Sequence, residues 1–181
     1  MKLNLGSGHK KIDGFINVDK YLLFKPDVVC DLENCPWPFK DNSIDKIIAH
    51  HVMEHLGQTA HQFMDILAEL YRICKPDALI EIFVPHPYHY TFIGDPTHVR
   101  VITPEQFSLF DKDTYPESVM RESSGLQFKV VDLFYQPDYS YRLKLDAKEI
   151  TYQEVLDLSK THLNVMEETR MLIQVIKNET T

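Results

Sequence analysis

The chain has 181 residues, 44% of them apolar, three cysteines and a formal net charge of −8. That length holds one domain with its own core, and the acidic balance, without a clustered Lys/Arg stripe, argues against a protein that grips nucleic acid through its phosphates. No apolar run approaches the roughly 20 residues of a membrane span, no leader pattern opens the chain, and Cys30, Cys35 and Cys74 form no C-x-x-C pair, so they read as reduced packing residues of a cytoplasmic protein.

In chain order, "KLNL" (2–5) and "FINV" (15–18) are short apolar runs that end at Gly6 and Asp19. "DVVCDL" (27–32) is a third run, followed by the turn-rich "ENCPWPFKDNS", and "IDKIIAH" (44–50) is a fourth. In "TAHQFMDILAELYRICK" the apolar positions Phe63, Ile66, Leu67, Leu70 and Ile73 recur every three or four residues, which predicts a helix stopped by Lys75-Pro76-Asp77. "ALIEIFVP" (78–85) predicts a strand. Past Pro85 the text turns irregular and rich in Pro, His and aromatics. A helix start stands at Thr103-Pro104-Glu105-Gln106, and another at Thr151 with Glu154 three residues on. "QFKVVDLFY" (127–135) and "RMLIQVIK" (170–177) predict the last two strands, pairing antiparallel at one edge.

Strands alternating with crossovers imply an α/β, Rossmann-like, doubly wound and mostly parallel sheet. A single domain over 1–181 is expected, with segments 86–126 and 136–165 as insertions that form the acceptor site or a lid. About ten residues join the first two strands, fewer than a helical crossover takes, so that link must be a loop.

A strand that runs into Gly6-Ser7-Gly8 turns sharply and lets a ligand approach its backbone, and in open α/β sheets ligands bind beyond the carboxyl ends of the strands. Asp19 ends the second run, where a carboxylate can accept from two vicinal ribose hydroxyls. Asp31, followed by apolar Leu32, ends the third and can accept from an adenine amino group. Each aspartate taken singly also fits a plain turn or cap; three successive strand ends of this kind point to a nucleoside. A dinucleotide fingerprint is absent, because no third glycine follows Gly8 in register.

The stretches "LNLGSG", "INVDKY", "DVVCDL", "PWPFKDNSIDKIIAHHVMEHL", "ELYRICKPDALIEIFVP" and "GDPTHVRVITPEQF" resemble the small class I S-adenosylmethionine-dependent methyltransferases, in particular the type-11-like group. The resemblance implies a seven-stranded sheet with an antiparallel edge and S-adenosylmethionine as cofactor. It implies that Gly6, Ser7 and Gly8 lie along the methionine part, that Asp19 with Lys20 holds the ribose, and that Asp31 and Leu32 meet the adenine. Ala49 and His50 would line the methionine end through their backbone. Three features depart from the pattern: no cover helix precedes the first strand, the link from Gly8 to Asp19 is short, and Pro76-Asp77-Ala78 replaces the usual Pro-Gly-Gly. A lid, a second copy or a partner subunit is expected to complete the cover.

Methyl transfer to oxygen or nitrogen needs the acceptor's proton removed, and a histidine can take it. His51, directly after the fourth strand, is the first candidate base, and His98 in "GDPTHVR" is the second. His51 and His55 stand at a metal-ligand spacing, but no third ligand follows at a fixed spacing, so no metal is assigned. The expected activity is methyl transfer to a small-molecule O or N acceptor such as a nucleoside, sugar or other metabolite. The alternative is a cofactor-binding or partner-dependent subunit without turnover of its own. Asp19→Ala is expected to abolish or strongly weaken cofactor binding and to leave the fold intact, since a strand-end carboxylate is not a core residue.

Overall fold

A computed structural model describes residues 1–177. Its frame is a seven-stranded sheet built from β1 (Lys2–Leu5), β2 (Ile16–Asp19), β3 (Val28–Val29), β4 (Ile44–His50), β5 (Cys74–Pro85), β6 (Phe128–Pro137) and β7 (Met166–Val175). The strand order is β3-β2-β1-β4-β5-β7-β6. The first five strands pair in parallel, while β7 runs antiparallel to both β5 and β6. The terminal strand pair expected of the sequence thus forms an antiparallel edge, with β7 inserted inside β6.

The link from β1 to β2 is a loop with no helix, as its length requires. Helix α1 (Ala60–Ile73) begins at a capping box. The Gln62 amide donates to Thr59 Oγ1 (3.2 Å), and the Thr59 amide donates back to Gln62 Oε1 (3.1 Å). The helix buries Phe63, Ile66, Leu67, Leu70 and Ile73, each contributing about 1.5–3 kcal/mol of gross hydrophobic stabilisation.

Two local expectations are corrected. α1 ends at Ile73 rather than at Lys75, because the chain passes directly into β5 at Cys74. Pro76 and Asp77 fall inside that strand, where the Asp77 φ of 60° and a register shift between Ile44 and Lys46 mark a bulge. The third run shrinks to Val28–Val29 because side chains take over part of its ladder: the Asn17 amide donates to Asp27 Oδ2 (2.8 Å).

Beyond Pro85 come α2 (Tyr90–Ile93), α3 (Pro104–Ser108), α4 (Val119–Ser124), α5 (Tyr139–Asp146) and α6 (Tyr152–Ser159). The Thr103 start is realised in α3, where the Thr103 amide donates to Gln106 Oε1 (3.2 Å). The Thr151 start is realised in α6, where the Glu154 amide donates to Thr151 Oγ1 (3.3 Å). The two segments past Pro85 differ in how they pack. Ile102, Phe107, Phe110 and Leu126 are buried in the main core, so much of 101–126 packs the sheet. Segment 136–165 builds a small cluster of its own around Val155, Val165 and Met166, with Tyr135, Tyr141 and Leu145 against it. No helix among the described residues is long and apolar enough to cross a membrane.

Candidate active site

The carboxyl ends of β1, β2 and β3 enclose a cavity of about 460 Å³ lined by Gly6, Gly8, Asp19, Lys20, Asp31, Leu32, Val52 and Leu56, among others. Gly6 is obligatory in this turn. Its φ is +60°, and a Cβ there would stand 2.5 Å from Val52 Cγ2. Gly8, also at positive φ, has nothing within 4 Å of a Cβ position, so its backbone lies open to the cavity. The Gly8 amide donates to Asp19 Oδ2 (2.8 Å) and the Tyr21 amide to Oδ1 (2.9 Å). Asp19 is thereby fixed with its carboxylate half satisfied, and each oxygen keeps acceptor capacity for a hydroxyl. Asp31 accepts the Glu33 amide on Oδ1 (3.2 Å). Leu32 is held at the cavity wall because its carbonyl accepts the buried Trp37 indole N–H (3.2 Å).

This donor and acceptor set fits S-adenosylmethionine. Two vicinal hydroxyls suit Asp19, Leu32 and Leu56 offer apolar faces to a purine, and the volume lies within the usual range for cofactor sites. Ser7, Ala49 and His50 do not line the cavity. Ser7 is turned inward with its hydroxyl buried and unpartnered, and its amide donates to the Val18 carbonyl (3.0 Å). Ala49 is fully buried in the core. His50 stacks on Phe83, and burial, aided by the neighbouring His51 charge, lowers its pKa.

A second cleft, about 380 Å³, adjoins the first along a shared wall formed by His51 and His55. Glu54, Asp95, His98, Gln136, Glu167 and Glu168 also line it. The chain reaches this wall through a strained turn, since His51 has φ 54° and its amide donates to the Phe83 carbonyl (2.9 Å). Its Nε2 donates to Glu168 Oε2 (2.8 Å), and its Nδ1 lies 3.3 Å from Glu54 Oε1. The Glu168 hydrogen bond, then Glu54, holds the imidazole pKa up at about 9 against the opposing effect of burial. At neutral pH the ring is therefore an imidazolium with no lone pair to accept a proton. Burial raises the Glu168 carboxyl, but its bonds from His51 and Arg170 outweigh this and leave its pKa below the ordinary value.

His98 arrives from the irregular segment and is pinned there by backbone. The amides of Val99 and Arg100 donate to the Glu54 carbonyl (2.9 and 3.2 Å). The Arg100 guanidinium donates to the Gly57 carbonyl through Nε (2.9 Å) and Nη2 (2.7 Å). His98 Nε2 consequently lies 4.0 Å from Glu54 Oε1 and 3.7 Å from Asp95 Oδ2. Both histidines expected as bases are thus brought to one cleft. Sequence reasoning missed Glu168, for which "MEETRML" carries no signal; it enters because Glu168 pairs with Pro85 across the β5–β7 ladder. A larger cavity, about 520 Å³, is lined by His86, Tyr88, Glu105, Tyr135 and α6 residues, and shares no residue with the glycine-lined one.

Residues 12–82 match the family model described as a methyltransferase domain. No curated protein matches the sequence. Among solved structures, the chain is similar to a SAM-dependent methyltransferase from Archaeoglobus fulgidus, with 20% identity, a TM-score of 0.65 and coverage of 96% of this chain and 85% of that one. It is similar also to a putative methyltransferase from Bacillus halodurans, at 14% identity and a TM-score of 0.59, covering 97% and 92%. A third similarity is to a structure of the complex between the Haloferax volcanii Trm112 methyltransferase activator and a putative methyltransferase, at 14% identity and a TM-score of 0.56, covering 98% and 82%. Over residues 12–82 the chain is thus similar to a methyltransferase domain, and as a whole it shares the fold of these solved methyltransferase structures.

Proposed function

We propose that the chain transfers a methyl group from S-adenosylmethionine to an oxygen or nitrogen of a small polar acceptor, such as a sugar, nucleoside or other metabolite, held in the cleft beyond His51. The observation that carries this reading is the common wall: His51 and His55 border both the glycine-lined cavity and the acidic cleft. Bound cofactor supplies an activated methyl. Gly6 and Gly8 open the backbone to its amino-acid end, Asp19 with Lys20 orients the ribose, and Asp31 with Leu32 selects the base. Ser7, Ala49 and His50 support the turn and strand end from behind.

The acceptor's proton leaves through the imidazoles and carboxylates that crowd the wall, with His98 among them. His51, already protonated, anchors Glu168 and shapes the wall. A cleft bordered by Glu54, Asp95, Glu167 and Glu168 repels anions, which favours a neutral or cationic acceptor over a phosphate or carboxylate. Thr91, Asp95 and His98, with Gln136, supply that cleft's outer side, and the three unpaired cysteines suit the cytoplasm.

A second reading, a subunit that binds cofactor but needs a partner for turnover, draws on a turn at the cavity rim. Tyr21 lines the cavity, and next to it Leu22 and Leu23 are 73% and 82% exposed. Calorimetric titration of the isolated chain with S-adenosylmethionine and S-adenosylhomocysteine tests both. Saturable binding near micromolar, about −8 kcal/mol, followed by acceptor-dependent release of S-adenosylhomocysteine, supports the enzyme; binding without turnover across neutral and amine acceptors favours the subunit. Absence of binding overturns both.

A further inference from the structure

We propose that Glu54, His55 and His98 form a binding site for one divalent transition-metal ion at the floor of the acidic cleft, with its open side toward the acceptor. One ligand atom from each residue lies within 4.8 Å of the others. Two metal–ligand bonds of about 2.1 Å span at most about 4.2 Å, so closure onto an ion needs side-chain shifts of under about 1 Å.

Three observations make this more than a cluster. The Glu54 side chain is fully buried, and neither carboxylate oxygen has a hydrogen-bond partner among the described residues. A buried carboxylate with unfilled lone pairs is among the most costly groups a fold can hold, and a cation is its usual remedy. The His51 imidazolium offsets part of the Glu54 charge from 3.3 Å, but it fills neither oxygen by a hydrogen bond, so lone pairs remain for an ion on the side of His55 and His98.

Both imidazoles, moreover, are oriented from behind. His98 Nδ1 lies 2.9 Å from the Phe92 carbonyl, and its ring stacks on Phe92. His55 Nδ1 lies 3.2 Å from the Thr97 carbonyl. A carbonyl can only accept, so each Nδ1 carries a proton, and in the neutral imidazole the lone pair then falls on Nε2. Ligating histidines in metal sites are held in this way.

The third observation is the way the triad is assembled. The main chain of Glu54 accepts the amides of Val99 and Arg100, which fastens the His98 segment onto the Glu54 turn. The ligand geometry is therefore fixed by backbone rather than by flexible surface side chains.

Two imidazoles and one carboxylate favour zinc, cobalt, manganese or iron over magnesium or calcium, which prefer all-oxygen shells. Three protein ligands leave coordination positions for an oxygen of the acceptor, whose hydroxyl an ion would make more acidic; with the ion bound His98 serves as a ligand, and the proton passes to the other groups of the wall. The inference rests on the proposed acceptor cleft and gives that cleft a chemical class of substrate, a hydroxylated acceptor that binds through oxygen.

The test is titration of the chelator-treated full chain with cobalt(II), read by its visible absorption. One ion per chain is expected, without the sulfur-to-cobalt band that cysteine ligation produces. His98→Ala and His55→Ala are each expected to weaken binding by about 100-fold or more, the upper end for loss of supporting groups being about 100-fold. The exposed His61→Ala should change nothing. Glu54→Gln is a third variant, accepted only where its circular dichroism matches the parent chain. Absent visible bands, a cysteine band, or undiminished binding in both histidine variants would overturn the site. S-adenosylhomocysteine calorimetry on the same metal-free chain keeps the two readings apart: cofactor binding without cobalt binding removes the metal site and leaves the proposed function standing.

Discussion

The amide of Gly8 donates to Asp19 Oδ2 at 2.8 Å, so the glycine turn after β1 and the carboxylate after β2 are a single mechanical unit. The second oxygen of Asp19 accepts the Tyr21 amide. The carboxylate is buried at 8% exposure, which puts it inside the fold as well as at the cavity wall. Asp19→Ala, expected from sequence to spare the fold, leaves two backbone donors without their acceptor. It should cost about 1–3 kcal/mol of stability while also weakening S-adenosylhomocysteine binding. Urea denaturation alongside calorimetry checks this; unchanged affinity in a folded Asp19→Ala chain would remove the ribose assignment.

Gly6→Ala places a methyl against Val52 at a backbone conformation that disfavours side chains. A loss of about 1–3 kcal/mol is expected, with weaker cofactor binding because the turn is displaced. In a Val52→Ala background the steric part should be relieved only in part, because the Cβ of residue 52 still stands 2.7 Å from the new methyl, and the conformational part should remain. A thermal-melt double-mutant cycle shows the outcome, and strictly additive single effects would argue against the Val52 contact as the cause.

Asp31 differs from Asp19 in bearing only one hydrogen bond from the backbone, on Oδ1. Asp31→Asn should leave stability within about 0.5 kcal/mol. It should weaken the cofactor about tenfold, the equivalent of about 1.4 kcal/mol, and should weaken binding of adenosine more than that of a fragment lacking the base. Equal losses for both ligands would place Asp31 away from the adenine.

Arg100 ties the His98 segment down by donating to the Gly57 and Thr59 carbonyls while lying 4.3 Å over the Phe63 ring. Arg100→Ala should cost about 1–2 kcal/mol and raise the KM for acceptor more than that for cofactor. Arg100→Lys should recover little, since an ammonium cannot reproduce the planar fork. Equal rises in both constants would mean that the clamp serves the whole domain rather than the acceptor cleft.

Much of this was legible from residue order because it is local. The i, i+3, i+4 pattern of Phe63 to Ile73 gave α1, and Thr59, Thr103 and Thr151 mark helix starts because a capping box closes within four residues. Gly6 and Asp19 could be read as strand-end features because a parallel sheet presents its carboxyl ends on one side.

The sequence by itself determined the main strands, α1 and the starts of α3 and α6, and the single parallel-to-antiparallel sheet, and it pointed to Gly6, Gly8, Asp19 and Asp31 as residues at one edge of that sheet. Tertiary structure decided the rest. Glu168 reaches His51 only through antiparallel pairing opposite Pro85, and His98 meets Glu54 only because Val99 and Arg100 hydrogen-bond to its carbonyl. Folding likewise decided that Asp19 is buried, that Ser7 faces inward, and that His51 is held charged between two carboxylates. Such properties depend on which groups exclude water from which others, and chain-local periodicity carries no record of contacts between distant segments.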